Sequence, residues 1–374
     1  MNLYYIENSF KHVNLLRVFI KDNVNIVAIK SIEDLKIEDL LIISNEYHNY
    51  DQLVNKVPNN IIIWEDIFKK FYDYSFNRYM SNYDFYYLKY SLKRALEPDT
   101  KSLVVGSSYA RFGIDESIIN EPCINLALAS QDMYYACLIG RYVISKNPNI
   151  KKVFIGTGYY SFYSDLSLNQ GAELMRISDV YYPIFKDMHN CRELPKSQNN
   201  ILSDNELFDI QQIVDIFCNN LFNQFKHNYF IDIRNRFNLR MNLRGAENRR
   251  WFELDDALKK ECSYERAQSH NKAIKNLGSY KENKEVLNSF IKFCNEKNVK
   301  VCIIAFPSTR FYKEFLLREY KESYISALNS IDGVIHFVDF NESDMFTDED
   351  FVDMDHLDKS GAIKITETIN DLDL

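Results

Sequence analysis

The sequence predicts an α/β protein in two parts: a mainly parallel sheet covered by helices on both faces, preceded by a smaller α/β layer. Three observations predict it. Short apolar runs rich in Ile and Val recur along the chain and read as buried strands. Stretches with helical spacing separate most of them, and strand–helix alternation of this kind builds a parallel sheet buried on both sides. The chain has 374 residues and 46% hydrophobic content, enough for two domains or one large domain with an insertion.

Taken in order, LYYI (3–6), VNIVAI (24–29), LLIIS (40–44) and NIIIW (60–64) are the strands expected of the first domain, residues 1–97. Phe10, Val13, Leu16 and Phe19 follow helical spacing between the first two. All 10 glycines lie at or after Gly106, so this domain carries no glycine-rich phosphate loop and reads as a scaffold or docking layer. A long aromatic helix is expected over roughly 76–96, and EPDTK (97–101) breaks it.

The second domain, 98–374, opens on SLVVG (102–106) and continues with CINLAL (123–128), KVFIGT (152–157), VKVCIIAF (299–306) and GVIHFVDF (333–340) as strands. YYACLIGRYVISKN (134–147) and KENKEVLNSFIKFCNEKN (281–298) are helices between them. From about 160 to 275 the alternation is interrupted. Leu207, Ile210, Val214, Phe217, Leu221 and Phe225 mark an amphipathic helix, and polar stretches such as FNLRMNLRGAENRR (237–250) surround it. This segment is expected to be an inserted helical cap over the sheet. No internal repeat or low-complexity linker is present.

Composition excludes several classes. The net charge is −8 and the Lys and Arg residues form no basic block, which argues against nucleic acid as a partner. The 7 cysteines are scattered, with no C-x-x-C, so neither a thiolate metal site nor a redox pair is expected. They read as buried thiols in a reducing compartment. The start, MNLYYIENSFKHVNLL, lacks the pattern of a signal peptide, and no 18-residue apolar run predicts a membrane span. A cytoplasmic protein is the expectation, and the sequence does not fix the oligomeric state. The 26 Tyr and 26 Phe could stack on sugars, although a general bias toward Asn, Ile, Lys, Tyr and Phe accounts for most of them.

Two motifs carry chemistry. FVDMDHLDKSGA (351–362) places Asp353 three residues before His356, leading into a helix. SLVVGSSYARFGID (102–115) runs an apolar strand into Gly106-Ser107-Ser108. A serine at the C-terminal end of the first strand of a parallel sheet stands where ligands and nucleophiles gather. The plain alternatives are a Ser-capped helix start and a helix-capping surface histidine.

Together, Gly-x-Ser after the first strand and Asp-x-x-His before the last helix resemble the outer motifs of the SGNH (GDSL-like) hydrolase family. The likeness is to the bacterial branch that includes alginate acetylation proteins and the D-alanyl transfer protein of teichoic acid synthesis. That branch often opens with Gly-Ser-Ser, and its apolar strand ending in proline with a nearby tyrosine is similar to AFPSTRFY (305–312). The resemblance spans roughly 100–160 and 280–370. It implies a flavodoxin-like three-layer α/β/α domain with Ser108 as nucleophile, His356 as general base and Asp353 as the carboxylate that orients it. Asp355 adjoins His356 but lies outside the family spacing.

The resemblance also implies an oxyanion hole. NLALASQD (125–132) matches the second family block, with Ser130 where a glycine usually stands, and Asn125 at its start. FIGTGYYSF (154–162) matches the third, with Gly158 in place of the usual asparagine. Either Tyr159, Asn125 or a backbone amide then substitutes as the donor or the enzyme is slow, because a lost oxyanion donor can cost ~10²–10³ in rate. Arg111 could hold an anionic or carbonyl group of the substrate or lie on a surface helix. Arg266 and His270, four apart, could sit at the mouth of the cleft or on a solvated face. Asp115 and Glu116 read as serving the next helical turn.

The expected function is serine-based acyl chemistry on a carbohydrate, as an O-acyl esterase or O-acyltransferase of surface polysaccharide biosynthesis, with the carbohydrate implied by the resemblance alone. Hydrolysis needs no cofactor or metal, whereas transfer needs a soluble donor such as acetyl-CoA. A carbohydrate-binding or assembly module with a decayed site and a lipase-type esterase are the rival readings.

Overall fold

The computed structural model describes residues 1–7, 10, 13, 23–44, 47–66, 82–196, 237, 241, 243–244 and 249–372. They fall into two compact units that divide between Asn82 and Tyr83. The expected boundary at 97 sits one helix later than this division.

In the first unit, β1 (Asn2–Ile6), β2 (Asn25–Ile29), β3 (Leu40–Ile43) and β4 (Ile61–Ile63) form a parallel sheet in the order β2-β1-β3-β4. All four were expected from their apolar runs. Helix α1 (Tyr50–Lys56) joins β3 to β4. Successive strand side chains point to opposite faces. Leu41 and Ile43 therefore join Ile6, Ile29, Leu53 and Val57 in one core, while Ile42 packs with Leu3, Phe10 and Trp64 in another. Two-sided burial explains why these strands read as continuous apolar runs rather than alternating ones. The helix expected through Leu16 and Phe19 lies largely outside the described residues.

The second unit contains α2 (Tyr83–Ala95), whose expected first turns, 76–81, lie outside the described residues. Its parallel sheet consists of β5 (Ser102–Gly106), β6 (Cys123–Asn125), β7 (Lys152–Thr157), β8 (Lys300–Ala305) and β9 (His336–Asp339), in the order β6-β5-β7-β8-β9. Numbered within the unit this is 2-1-3-4-5, a doubly wound order. Short α3 (Ser108–Gly113) follows β5, and α4 (Met133–Lys146) links β6 to β7. Next come α5 (Asp256–Asn271) and α6 (Leu277–Glu296), which leads into β8. Helices α7 (Arg310–Phe315) and α8 (Arg318–Asn329) precede β9, and α9 (Lys359–Asn370) follows it.

Because the chain steps one way from β5 to β6 and the other way thereafter, right-handed crossovers place the connecting helices on opposite faces. On one face Val104, Phe154, Cys302 and Ile304 pack with Ala110 of α3 and Ile365 and Ile369 of α9. On the other, α4 and α6 meet so closely that a Cβ on Gly140 would lie 2.5 Å from the Phe290 ring. The sheet is thus the middle of three layers.

Two strands fall three or more residues short of their expected runs, and in each case a side chain intervenes. The run CINLAL leaves strand conformation after Asn125, whose Oδ1 accepts from Ala127 N at 3.1 Å and whose Nδ2 donates to the Ala110 and Ile114 carbonyls. The run GVIHFVDF joins the sheet only at His336, because Asn295 bonds both the N–H and the carbonyl of Val334. Of the expected cap, residues 159–185 form short helical turns and 256–275 form α5 and a 3-10 turn; the amphipathic stretch 207–225 lies outside the described residues. Among the described residues no helix is long and apolar enough to cross a membrane, and all six described cysteines are free thiols.

Candidate active site

Strand β5 ends in Gly106 with φ +134°, a conformation that favours glycine, and a Cβ there would lie 2.1 Å from the Gly156 carbonyl oxygen of β7. The chain turns directly into α3, so Ser108 is its first residue. This point lies where the strand order reverses, at the C-terminal ends of β5 and β7, the location that doubly wound sheets use for ligands.

The histidine arrives on a tight loop. Phe351 and Leu357 pair across an antiparallel bridge, and Val352 N–H donates to the His356 carbonyl at 2.9 Å. Thr309 holds the loop's apex, donating through both N–H and Oγ1 to the Met354 carbonyl. The turn folds Asp353 back on its neighbours: its Oδ1 accepts from Asp355 N at 3.0 Å and His356 N at 2.8 Å.

His356 Nδ1 lies 3.0 and 3.1 Å from the two oxygens of Asp353, and Nε2 lies 2.9 Å from Ser108 Oγ. A carboxylate only accepts, so Nδ1 carries a proton. The Tyr109 and Phe112 rings, at 5.5 and 5.8 Å, pack on the imidazole and fix its plane. Three groups named from two distant segments therefore meet in a hydrogen-bonded chain from serine to imidazole to carboxylate.

A second carboxylate completes the cluster. Asp355 Oδ1 lies 3.3 Å from His356 Nδ1. Arg266 Nε donates to both its oxygens at 3.2 and 3.0 Å, and the Tyr109 hydroxyl donates at 2.9 Å. Burial works to raise the Asp355 carboxyl, but the Arg266 guanidinium and His356 outweigh it and hold it well below the usual range. Burial would likewise lower His356; Asp353, then Asp355, overcome it and push the imidazole up to about 9.

Beside Ser108 opens a cavity of about 240 Å³, lined mainly by polar groups that include Ser130, Ser161, Asn169, Glu173 and Asn276. Ser130 has φ +54°, in the left-handed region that favours the glycine it replaces. Arg266 and His270 both line this cavity. The Tyr160 ring stacks on His270 at 4.0 Å, and His270 Nδ1 bonds the Tyr312 hydroxyl of the expected Pro-and-Tyr element. Burial, then Arg266, holds His270 well below the ordinary histidine value, so it is neutral. The cleft-mouth reading of this pair thus agrees with the geometry.

Other expected residues lie elsewhere. Gly158 is not on the Ser108 cavity: its N–H donates to Ser161 Oγ at 2.9 Å and its Cα packs against the Tyr109 ring. The Tyr159 hydroxyl donates to Asp339 Oδ2 at 2.8 Å, away from the serine. Asn125 is buried and spends its side-chain amide on the Ala110 and Ile114 carbonyls at the end of α3. Arg111 is also buried, with its guanidinium 3.5 Å over the Tyr87 ring and 3.3 Å from the Tyr83 hydroxyl. It stands three residues after Ser108, yet its guanidinium is taken up by two tyrosines of α2 and does not line the cavity, a partner choice that spacing could not reveal. Asp115 does cap the next turn, through Ser117 N at 3.0 Å, whereas Glu116 is buried against Arg94.

Sequence reasoning missed Tyr109, Asp132, Tyr160 and Asp165. Tyr109 adjoins Ser108, which was a usable signal. Asp132 and Asp165 each cap a helical turn, through Tyr135 N and Ser167 N, a commonplace role for aspartate that gives no sign of a site in the sequence. No protein-family model matches the chain, and no curated protein matches it.

Proposed function

We propose that the chain is a serine-dependent O-acyl esterase or O-acyltransferase of SGNH type. The observation that carries this reading is the chain of contacts from Ser108 Oγ through His356 to Asp353, at 2.9 Å and 3.0 Å, opening onto a polar cavity. A serine hydroxyl becomes a useful nucleophile when a base within hydrogen-bond reach takes its proton.

His356 Nε2 accepts the Ser108 proton as Oγ forms a bond to the acyl carbon of the ester. The Asp353 carboxylate holds Nδ1–H and stabilises the resulting imidazolium. The carbonyl oxygen then carries the negative charge. Backbone donors take it in this reading: the N–H of Ser108, which has no partner within its own helix, and that of Ser130, whose left-handed φ suits the glycine position of the family block. Collapse breaks the bond to the leaving oxygen, which receives the proton from His356. Water or an acceptor hydroxyl, deprotonated by the same nitrogen, then attacks the acyl-serine and regenerates the enzyme.

The hydroxyl- and amide-lined cavity favours a hydroxyl-rich acyl carrier such as a carbohydrate over the lipid ester of the rival reading. Surface polysaccharide is the setting that the family likeness suggests, and acetyl-CoA is the soluble donor if the reaction is a transfer. Turnover of p-nitrophenyl acetate tests the reading. Ser108→Ala should lower kcat by about 10³ or more, leaving a residual rate from the cavity's donors. Equal rates in the two proteins would remove Ser108 from the chemistry and favour a binding module.

A further inference from the structure

We infer that Asp132, Asp165 and His189 form a binding site for one divalent transition-metal ion, of the zinc or manganese kind, at the edge of the Ser108 cavity. One oxygen of each aspartate and a ring nitrogen of the histidine lie within 4.8 Å of one another. Atoms bound to a common ion at about 2.0–2.2 Å are necessarily that close. The cluster is buried: Asp132 is 2% and Asp165 4% exposed, and the His189 side chain is 4% exposed.

The independent observation is the Nδ1 atom of His189. It is buried and has no hydrogen-bond partner among the described residues. It faces Asp165 Oδ1 at 3.6 Å, beyond hydrogen-bonding range. The other ring nitrogen is accounted for. Nε2 lies 3.2 Å from Glu282 Oε1, and since a carboxylate only accepts, Nε2 carries the proton. Asn190 Nδ2, also 3.2 Å from Nε2, spends its two protons on Glu282 Oε2 at 2.7 Å and Asp165 Oδ2 at 3.1 Å. With Nε2 committed to Glu282, Nδ1 is the ring atom left without a hydrogen bond, and it faces the Asp165 carboxylate. A buried ring nitrogen without a hydrogen bond, beside two buried carboxylates, is an arrangement that a cation between them relieves.

The surroundings fit the same reading. A metal-bound histidine commonly donates its other N–H to a carboxylate, and Glu282 takes that place. The Tyr134 ring stacks on the imidazole at 3.8 Å and fixes its orientation. Each aspartate oxygen already takes protein donors, Asp132 from Tyr135 N and Leu166 N and Asp165 from Ser167 and Asn190, which aims the carboxylates while leaving further lone pairs. One imidazole with two carboxylates suits zinc or manganese better than calcium or magnesium, which prefer oxygen alone. Asp132 and Asp165 also line the Ser108 cavity, so a bound ion is part of its wall. The site does not rest on the serine chemistry.

Competition against a chromophoric chelator, using the full-length, metal-stripped protein and Zn²⁺ or Mn²⁺ alone, tests this. One equivalent should bind and raise Tm. His189→Gln, with a metal-free Tm like that of the wild type, should lose the equivalent. Glu282→Gln, at a half-exposed side chain outside the ligand set, should weaken binding about 10–100-fold. The inference is overturned if the wild type binds neither ion stoichiometrically, if both variants bind as tightly as the wild type, or if Mg²⁺ or Ca²⁺ binds equally well.

Discussion

His356 answers to two carboxylates on one ring nitrogen, and they have opposite consequences for rest and for reaction. Asp353 and Asp355 together raise the imidazole to about 9, although burial works against them. A general base must be neutral, so below that value most of the resting histidine is in the wrong state. Turnover of a small ester should rise about tenfold per pH unit from neutrality and level off above pH 9. Asp353→Asn should move the inflection down and lower the plateau by about 10²–10⁴, since the tautomer is no longer held. Asp355→Asn should also move it down, by less, and spare more of the plateau, because its carboxylate is the farther one and is occupied by Arg266. A larger plateau loss for Asp355→Asn would reassign the orienting role. The stability effect has the opposite sign. A histidine raised above its unfolded value of ~6.5 stabilises fully below that pH, and the contribution is lost as pH rises through about 9. Wild type should therefore lose more Tm between pH 7 and 10 than His356→Gln does.

At the scale of elements, the approach of β5 to β7 places Ser108. Gly106 and Gly156 pair directly across the two strands, and each lacks room for a side chain. Gly106→Ala combines a left-sided φ of +134° with a contact at 2.1 Å to backbone that has no freedom to move. It should cost about 3 kcal/mol or more, read as a lowered denaturant midpoint. Gly156 sits against Ala110 of α3, so the same tightness presses the helix that begins at Ser108 onto the sheet. The loop 351–357 plays the matching part from the other end of the unit: its cross-bridge and the Thr309 contacts leave Asp353 little choice but to face His356.

For the whole molecule, the division at Tyr83 predicts which fragment stands alone. Helix α2 belongs to the second unit: Tyr87 donates its hydroxyl to the Asn125 carbonyl, and Arg94 pairs with buried Glu116 at 3.0 Å. The fragment 83–374 should fold cooperatively and retain ester hydrolysis. The fragment 98–374, cut where the aromatic pattern ends, should lose the helix that closes over β6 and unfold at lower denaturant. Equal midpoints for the two would show that α2 adds nothing to this unit, and loss of activity in a folded 83–374 would give the first unit a part in the site.

All nine described strands were legible as short apolar runs, because the central strands of a parallel sheet covered on both faces demand apolar residues at consecutive positions. Ser108, Asp353 and His356 were legible because their spacing along the chain is tied to strand ends and to a short turn. The ends of β6 and β9 were not, since Asn125 and Asn295 take over backbone bonds that no local pattern assigns. Nor were the roles of Arg111, Gly158 and Arg266. Each depends on the side of a helix or loop from which it projects, and that direction is set only when the sheet, α3 and α5 pack together. Spacing decides which residues lie near a strand end, whereas packing decides which of them share a cavity and which carboxylates share a proton.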